Sequence, residues 1–282
     1  MELNKNYIGR EYAPEIYLVE KNHIEAYASA IGATDSNYGA PPCFPVTYEV
    51  PLIYEILNDP GLHGSIEQAK KNMMMLVHGD QLIRFYKPIH AGDRIIRTLS
   101  IVDIFDKGSG EVIKIGALSS DEKGNKIVES VWGLFIRGIG SGERPARKHR
   151  HRGASTKPED NIFKETIKMP IDITKRYAKA ANDMNPIHLD VDYARRAGLP
   201  GIVVHGMCTM AMSAQSIIEN YLARDFSNAG SISVRFSAPV FPGDELEILG
   251  FKSDDSSSLK FEVIRTSDSV KVIKDGSFIL RT

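Results

Sequence analysis

The sequence predicts an α+β fold built twice over, each copy an antiparallel sheet curled around a central helix. Three observations predict it. There is a weak internal repeat with a period of about 150 residues, the composition breaks once near the middle, and each copy runs from helix-like segments into alternating strands. The length agrees, since 282 residues is long for one ordinary domain and comfortable for two of roughly 100–150. With 42% hydrophobic and 25% charged residues, the chain has the profile of a globular protein with a sizeable core.

The break falls at Gly138–Asp160, which reads GIGSGERPARKHRHRGASTKPED. Rich in Gly, Pro, Ser and charge, and without helix or strand periodicity, it is expected to be a linker. The chain thus divides into an N-terminal half over 1–138, a linker over 139–160 and a C-terminal half over 161–282. Arg144, Arg147, Lys148, Arg150 and Arg152 with His149 and His151 make the linker basic. A solvated linker is the plainer reading of that charge than a nucleic-acid or metal patch. Contact with the phosphates of a nucleotide-tailed substrate is a third.

The elements follow in order. Tyr27-Ala28-Ser29-Ala30, near the front of the first half, corresponds to Tyr177-Ala178-Lys179-Ala180 in the second. Lys87-Pro88-Ile89-His90-Ala91-Gly92-Asp93 corresponds to Ala238-Pro239-Val240-Phe241-Pro242-Gly243-Asp244. Each of these turns follows a strand-like run (Leu82–Tyr86, Ile232–Phe236) and precedes another (Arg94–Asp103, Glu245–Phe251). Alternating strands close each half: Val112–Leu118 and Ile127–Ile136, then Leu259–Arg265 and Val270–Leu280. Between Met207 and about Arg224 there is no Gly or Pro, and small or apolar residues occupy all sides of the early part. A helix of that kind is surrounded by protein.

The chemistry lies in Tyr177–Ala194, YAKAANDMNPIHLDVDYA, followed by GLPGIVVHGM. Asp172 or Thr174 caps a helix running to about Ala181. Pro186 blocks its continuation and biases Asn185 towards extended backbone, so Asp183 and His188 sit on an irregular loop. Asp190 is expected to cap a short helix over Val191–Ala197 that Gly198 stops, anchoring the loop. His205-Gly206-Met207 then opens the buried helix. A helix N-terminus offers unpaired N–H groups and partial positive charge, and glycine lets a ligand oxygen approach closely. An acid/base pair and an oxyanion site thus occupy one stretch.

In D183-x-N185-P186-x-H188, the downstream HGM and the segment RFSAPVFPGDELEI, the chain resembles the MaoC-type (R)-specific enoyl-CoA hydratases. Its two halves are similar to the peroxisomal hydratase-2 domain and its bacterial relatives. The resemblance implies a tandem (double) hot-dog fold. It also implies (R)-specific hydration of a trans-2-enoyl-CoA, or the reverse dehydration of a (3R)-3-hydroxyacyl thioester. The substrate would be an acyl-CoA or acyl-carrier-protein thioester, with no cofactor and no metal. Asp183 and His188 would activate one water, Gly206 N–H would bind the thioester oxygen, and Asn185 would orient the loop or the water. Asn182 departs from the family's usual Gly, stiffening the loop while leaving every catalytic group in place.

In the first half, Asp35 and Asn37 align with Asp183 and Asn185, but Tyr38 replaces the proline and Ala40 the histidine. Ten steps separate Asp35 from Pro45, against 23 from Asp183 to Gly206. The first half therefore lacks both the base and the anchoring helix, and is read as a degenerate copy that covers or shapes the substrate channel. His205 is expected to buttress the helix entry, Cys208 to be a small buried hydrophobe, and His78 to be structural. Met73-Met74-Met75 lines an acyl channel or is ordinary core.

Near-balanced charge, 35 basic against 36 acidic residues, argues against nucleic acid or anionic membrane as partner. Nowhere do about 18 apolar residues run together, the first residues lack a signal-peptide core, and two cysteines make no disulfide framework. A cytoplasmic protein is the simplest expectation, with a homodimer of the internally paired halves left open. Two competing functions stand beside hydration: a hot-dog acyl-CoA thioesterase, and a non-catalytic acyl-thioester-binding subunit.

Overall fold

A computed structural model describes residues 2–33, 39–143, 161–222, 229–253 and 257–281. Residues 144–160 of the expected linker, the Asp35–Tyr38 piece and Arg224 lie outside the described residues. The N-terminal half runs β1 (Glu15–Leu18), α1 (Lys21–Ile31), α2 (Val46–Leu57), α3 (Pro60–His63), α4 (Ile66–Met75), β2 (Leu76–Phe85), β3 (Arg94–Asp106), β4 (Gly110–Ser120) and β5 (Lys126–Arg137). The C-terminal half runs β6 (Asn161–Lys168), α5 (Ile173–Ala181), α6 (Val191–Arg196), α7 (Gly206–Tyr221), β7 (Ala229–Phe236), β8 (Glu245–Lys252), β9 (Ser258–Arg265) and β10 (Val270–Leu280).

The strands form one ten-stranded sheet in the order β1-β3-β4-β5-β2-β7-β10-β9-β8-β6. Read outward from the middle, β2-β5-β4-β3-β1 mirrors β7-β10-β9-β8-β6, so each repeat is one half of a shared sheet. The halves meet where β2 pairs antiparallel with β7, with Gln81 opposite Val234 and Ile83 opposite Ile232. All four of these residues are buried, Gln81 included. Each half also opens with a strand that the long alternating runs do not announce, β1 and β6, and these form the two outer edges.

The helices pack on one side of the strands. Met207, Cys208, Met210, Ala211, Ala214 and Ile217 of α7 are all buried, as a helix with apolar and small residues on every side requires. No helix among the described residues is long and apolar enough to cross a membrane. Asp172 stands at the N-cap of α5 but makes no capping bond; its carboxylate instead pairs with Arg176 at 3.1 Å one turn on. Met73, Met74 and Met75 end α4, where Met73 and Met75 pack on the main core and Met74 on a small cluster of Ile187, Ala197 and Val203.

Contacts between the halves follow the repeat. Tyr27 and Tyr177, 150 positions apart, bring their hydroxyls to 3.4 Å on the axis relating α1 to α5. His23 Nε2 donates to Ala180 O at 2.9 Å. Pro51 lies inside α2 and has no N–H to offer the carbonyl of residue 47, one turn back. That carbonyl accepts from Asn182 Nδ2 at 2.8 Å. A helix defect in one half thereby becomes a bond to the other.

Glu49 of α2 is buried and accepts from Trp132 Nε1 at 2.7 Å and Ser130 Oγ at 2.8 Å. Burial pushes its carboxyl up to about 7 against the pull of those two donors and of Arg97. A folded-state pKa above the unfolded one means stability is full below the unfolded value, near 4.3, and is lost as pH rises through 7. The loss amounts to about 3 kcal/mol by pH 8. Thermal unfolding from pH 5 to pH 8 should show Tm falling more steeply in the wild type than in Glu49→Gln, whose amide does not titrate.

Candidate active site

The site grows from the end of α5. Asn182 caps that helix in the left-handed region, at φ 55°. Only Gly, and less readily Asn or Asp, takes that conformation at small cost. The departure from glycine at this position is therefore one that the backbone tolerates. Asp183 follows, its N–H donating to Ala178 O at 3.0 Å, which fixes where the chain leaves the helix.

Asn185 then caps a short 3-10 turn over Pro186–His188, its side-chain oxygen accepting from Ile187 N at 3.2 Å. Asp190 caps α6 by accepting from Tyr193 N at 2.8 Å, and Gly198 turns the chain at φ 78°. The returning segment is tied back, with Val203 N donating to Ile187 O at 3.3 Å and Val204 N to Val240 O at 2.7 Å. The loop carrying Asp183 and His188 is thus held at both ends.

Asp183, His188 and His205 each place one ligand-type atom within 4.8 Å of the others. Their hydrogen bonds decide their chemistry. His188 Nδ1 lies 2.8 Å from Val203 O; a carbonyl only accepts, so Nδ1 carries the proton and Nε2 keeps a free lone pair. His205 Nε2 donates in the same way to Asp183 O at 3.1 Å, which locks the backbone of the acid. Burial, together with neighbouring His188, pushes His205 down to about 3. Burial also holds His188 below the usual histidine range despite Asp183 and the Val203 carbonyl. For Asp183, burial works upwards, but His205, His188, the Tyr54 hydroxyl and Asn185 N–H outweigh it and keep the carboxyl below its usual range. The result is a carboxylate beside a neutral imidazole.

Two histidines and an aspartate at such spacing also match a metal-ligand count. An imidazole binds a metal in its ring plane at about 2 Å. The rings of His188 and His205 are stacked, with centroids 3.7 Å apart and planes 26° apart. Planes so disposed converge only well beyond bonding distance. The trio does not fit a shared ion.

Asp183 and His188 open on a cavity of about 670 Å³ between the halves. The C-terminal half contributes Asp183, Asn185, His188 and Gly206, and α2 of the N-terminal half contributes Val50, Ile53, Tyr54 and Leu57. Gly206 is the first residue of α7, so its N–H has no acceptor inside the helix. A β-carbon there would stand 3.3 Å from the Phe236 ring, so the glycine lets that ring close the wall. All four site residues expected from the sequence are brought together.

Two wall residues were not singled out for chemistry. Tyr54 donates to Asp183 Oδ1 at 2.7 Å. His78 stacks on Trp132 at 4.9 Å and 12°, and burial pushes it down to about 4. His78 thus packs as an aromatic plate, as its structural reading expects, while also facing the cavity. A signal for Tyr54 existed, since residues 50, 53, 54 and 57 follow helical spacing and place its hydroxyl on an otherwise apolar stripe.

The loop anchor gives a direct test. Asn182→Gly should lose only the bond to Thr47, about 1 kcal/mol. Asn182→Ala adds the left-handed backbone cost, for about 2 kcal/mol in all, and denaturant unfolding should rank the two in that order.

Residues 154–274 match the model of the MaoC like domain, and residues 17–138 that of the MFE-2 hydratase 2 N-terminal domain. A probable enoyl-CoA hydratase 2 of Dictyostelium discoideum is 25% identical over 98% of this chain and 93% of its own. The 3-hydroxyacyl-thioester dehydratase Y of Mycobacterium tuberculosis is 26% identical over 98% of each. Among solved structures, a MaoC-like dehydratase from Phytophthora capsici superposes with a TM-score of 0.80 at 21% identity, covering 99% of this chain and 98% of its own.

Proposed function

The chain belongs to the MaoC-like, hydratase 2 family of double hot-dog proteins, and from that premise we propose how it works as an (R)-specific 2-enoyl-thioester hydratase. The observation that carries the mechanism is the pairing of a carboxylate, Asp183, with a neutral imidazole, His188, on the wall of the cavity between the halves. Their facing atoms lie within 4.8 Å, a gap that one water spans with two hydrogen bonds of about 2.8 Å.

In a 2-enoyl thioester the β-carbon is electrophilic. His188 Nε2 takes a proton from the water, whose other O–H donates to the Asp183 carboxylate, and the hydroxyl adds to the β-carbon. Negative charge moves to the thioester oxygen, where Gly206 N–H at the positive end of α7 stabilises it. The same assembly returns the proton to the α-carbon on the same face, so atoms balance and no covalent intermediate forms. Dehydration is the same path reversed. Asn185 acts by fixing the turn that carries His188.

A thioesterase would aim the water at the carbonyl carbon instead. An acyl-ACP thioesterase from Bacteroides thetaiotaomicron shares the fold, with a TM-score of 0.60 at 12% identity, but that likeness speaks for the fold alone. Both halves line the cavity, so a homodimer is not needed to complete it. Membership assigns no compartment, since the relatives include proteins named peroxisomal and a mycobacterial one.

The assay is loss of enoyl-thioester absorbance on mixing with trans-2-enoyl-CoAs, with (R)-3-hydroxyacyl product and no free thiol. Release of thiol would replace hydration by hydrolysis. Asp183→Asn and His188→Gln should each lower kcat by about 10² or more with the fold retained. Near-normal turnover in either variant would sink the pair. Because the base is a neutral histidine held below its usual range, kcat/KM should stay level as pH falls through 6.5 and decline only at lower pH.

A further inference from the structure

We propose that Tyr54 is a positioning residue of this site: reaching in from the N-terminal half, its hydroxyl holds Asp183 Oδ1, so that Oδ2 is the oxygen presented to the reacting water. The kinetic part of this inference rests on the hydratase function above.

The direction of the Tyr54 proton follows from its neighbours. Asn185 Oδ1 is turned to Ile187 N–H, and a carboxylate oxygen has no proton of its own to offer. The carboxylate only accepts, so the tyrosine's single proton points to Asp183 Oδ1, 2.7 Å away. Asn185 N–H adds a second, longer bond to the same oxygen at 3.3 Å. Both protein donors therefore converge on Oδ1.

The wall around Tyr54 gives the same answer from another side. On α2, Val50, Ile53 and Leu57 share its stripe and are apolar, and a hydroxyl on such a surface is costly unless paired. The titratable groups facing Asp183 are His188 and His205 from its own half, Tyr54 from α2 and His78 from β2; Tyr193 of α6 faces Tyr54 in turn. Of the groups from the other half, Tyr54 is the one that touches the carboxylate. The degenerate half, having no base, thus supplies the contact that sets which oxygen of the acid works.

Tyr54→Phe removes one oxygen and keeps the ring in place, and near-UV circular dichroism checks that packing survives. The charge-assisted bond lost is large enough to lower kcat roughly tenfold or more, while KM changes by about twofold or less because no substrate contact is removed. An NMR titration of 13C-carboxyl-labelled aspartate, with Asp183→Asn identifying the resonance, should place Asp183 about one pH unit higher in Tyr54→Phe. A merely structural tyrosine would not move that titration. An active wild type matched in kcat by Tyr54→Phe, with the carboxyl unmoved, would overturn this inference alone. A wild type silent towards every enoyl thioester would overturn the hydratase mechanism and this inference with it.

Discussion

The antiparallel pairing of β2 with β7 is the constraint on which the remaining architecture depends. A five-stranded half-sheet ending at either strand would leave a long row of backbone donors and acceptors open. Joined, the two edges satisfy each other, and residues such as Ile83 and Ile232 are buried on the shared face. α2 and α7 each pack on strands of their own half, α2 on β3 and α7 on β6 and β7, so the join sets how the two helices stand to one another. The cavity is the space left between those helices, and its volume is thus a product of sheet geometry more than of any single side chain.

That space is asymmetric because the two copies diverged around it. The C-terminal copy keeps a long loop whose proline, capped turn and short helix deliver Asp183 and His188 to one point. The N-terminal copy has Ala40 where the histidine would be, and its α2 carries a proline that frees a carbonyl for Asn182. The N-terminal half contributes walls to the cavity and a bond to the loop of the other half. Each half is therefore read best as part of the other's surroundings.

Much of this was legible in the residues. Alternation marked the eight long strands, and the Asp-x-Asn-Pro-x-His spacing marked the site, because both depend on local rules of period, capping and proline. Of the two edge strands, Glu15–Leu18 has four residues and no room for a pattern, while Asn161–Lys168 alternates but is half-buried and exposed by turns, with no fully buried residue to mark it. Asp172 looked like a cap from its position, but Arg176 one turn on competed for its carboxylate. Tyr54 and His78 are close to Asp183 only through the β2–β7 join and the placing of α2, over separations of more than 100 residues. No local rule reaches that far. The full roles of His205 were hidden for the same reason: its stacking on His188 and its bond to the Asp183 carbonyl arise from the return of the chain after Gly198.

The stacked histidines have a consequence for stoichiometry. With His205 pushed down to about 3, it stays uncharged at any pH where the protein works, and two imidazolium rings cannot share that stack. Of the two stacked rings, His188 is then the one that takes up the proton. It must hand back what it took before the next water is bound, so each turnover closes with the site in its starting charge state. Hydration itself takes up water and no net proton, so acidity can change the rate here but leaves the balance of alkene and alcohol alone. Which way the reaction runs is decided by the supply of one thioester and the removal of the other.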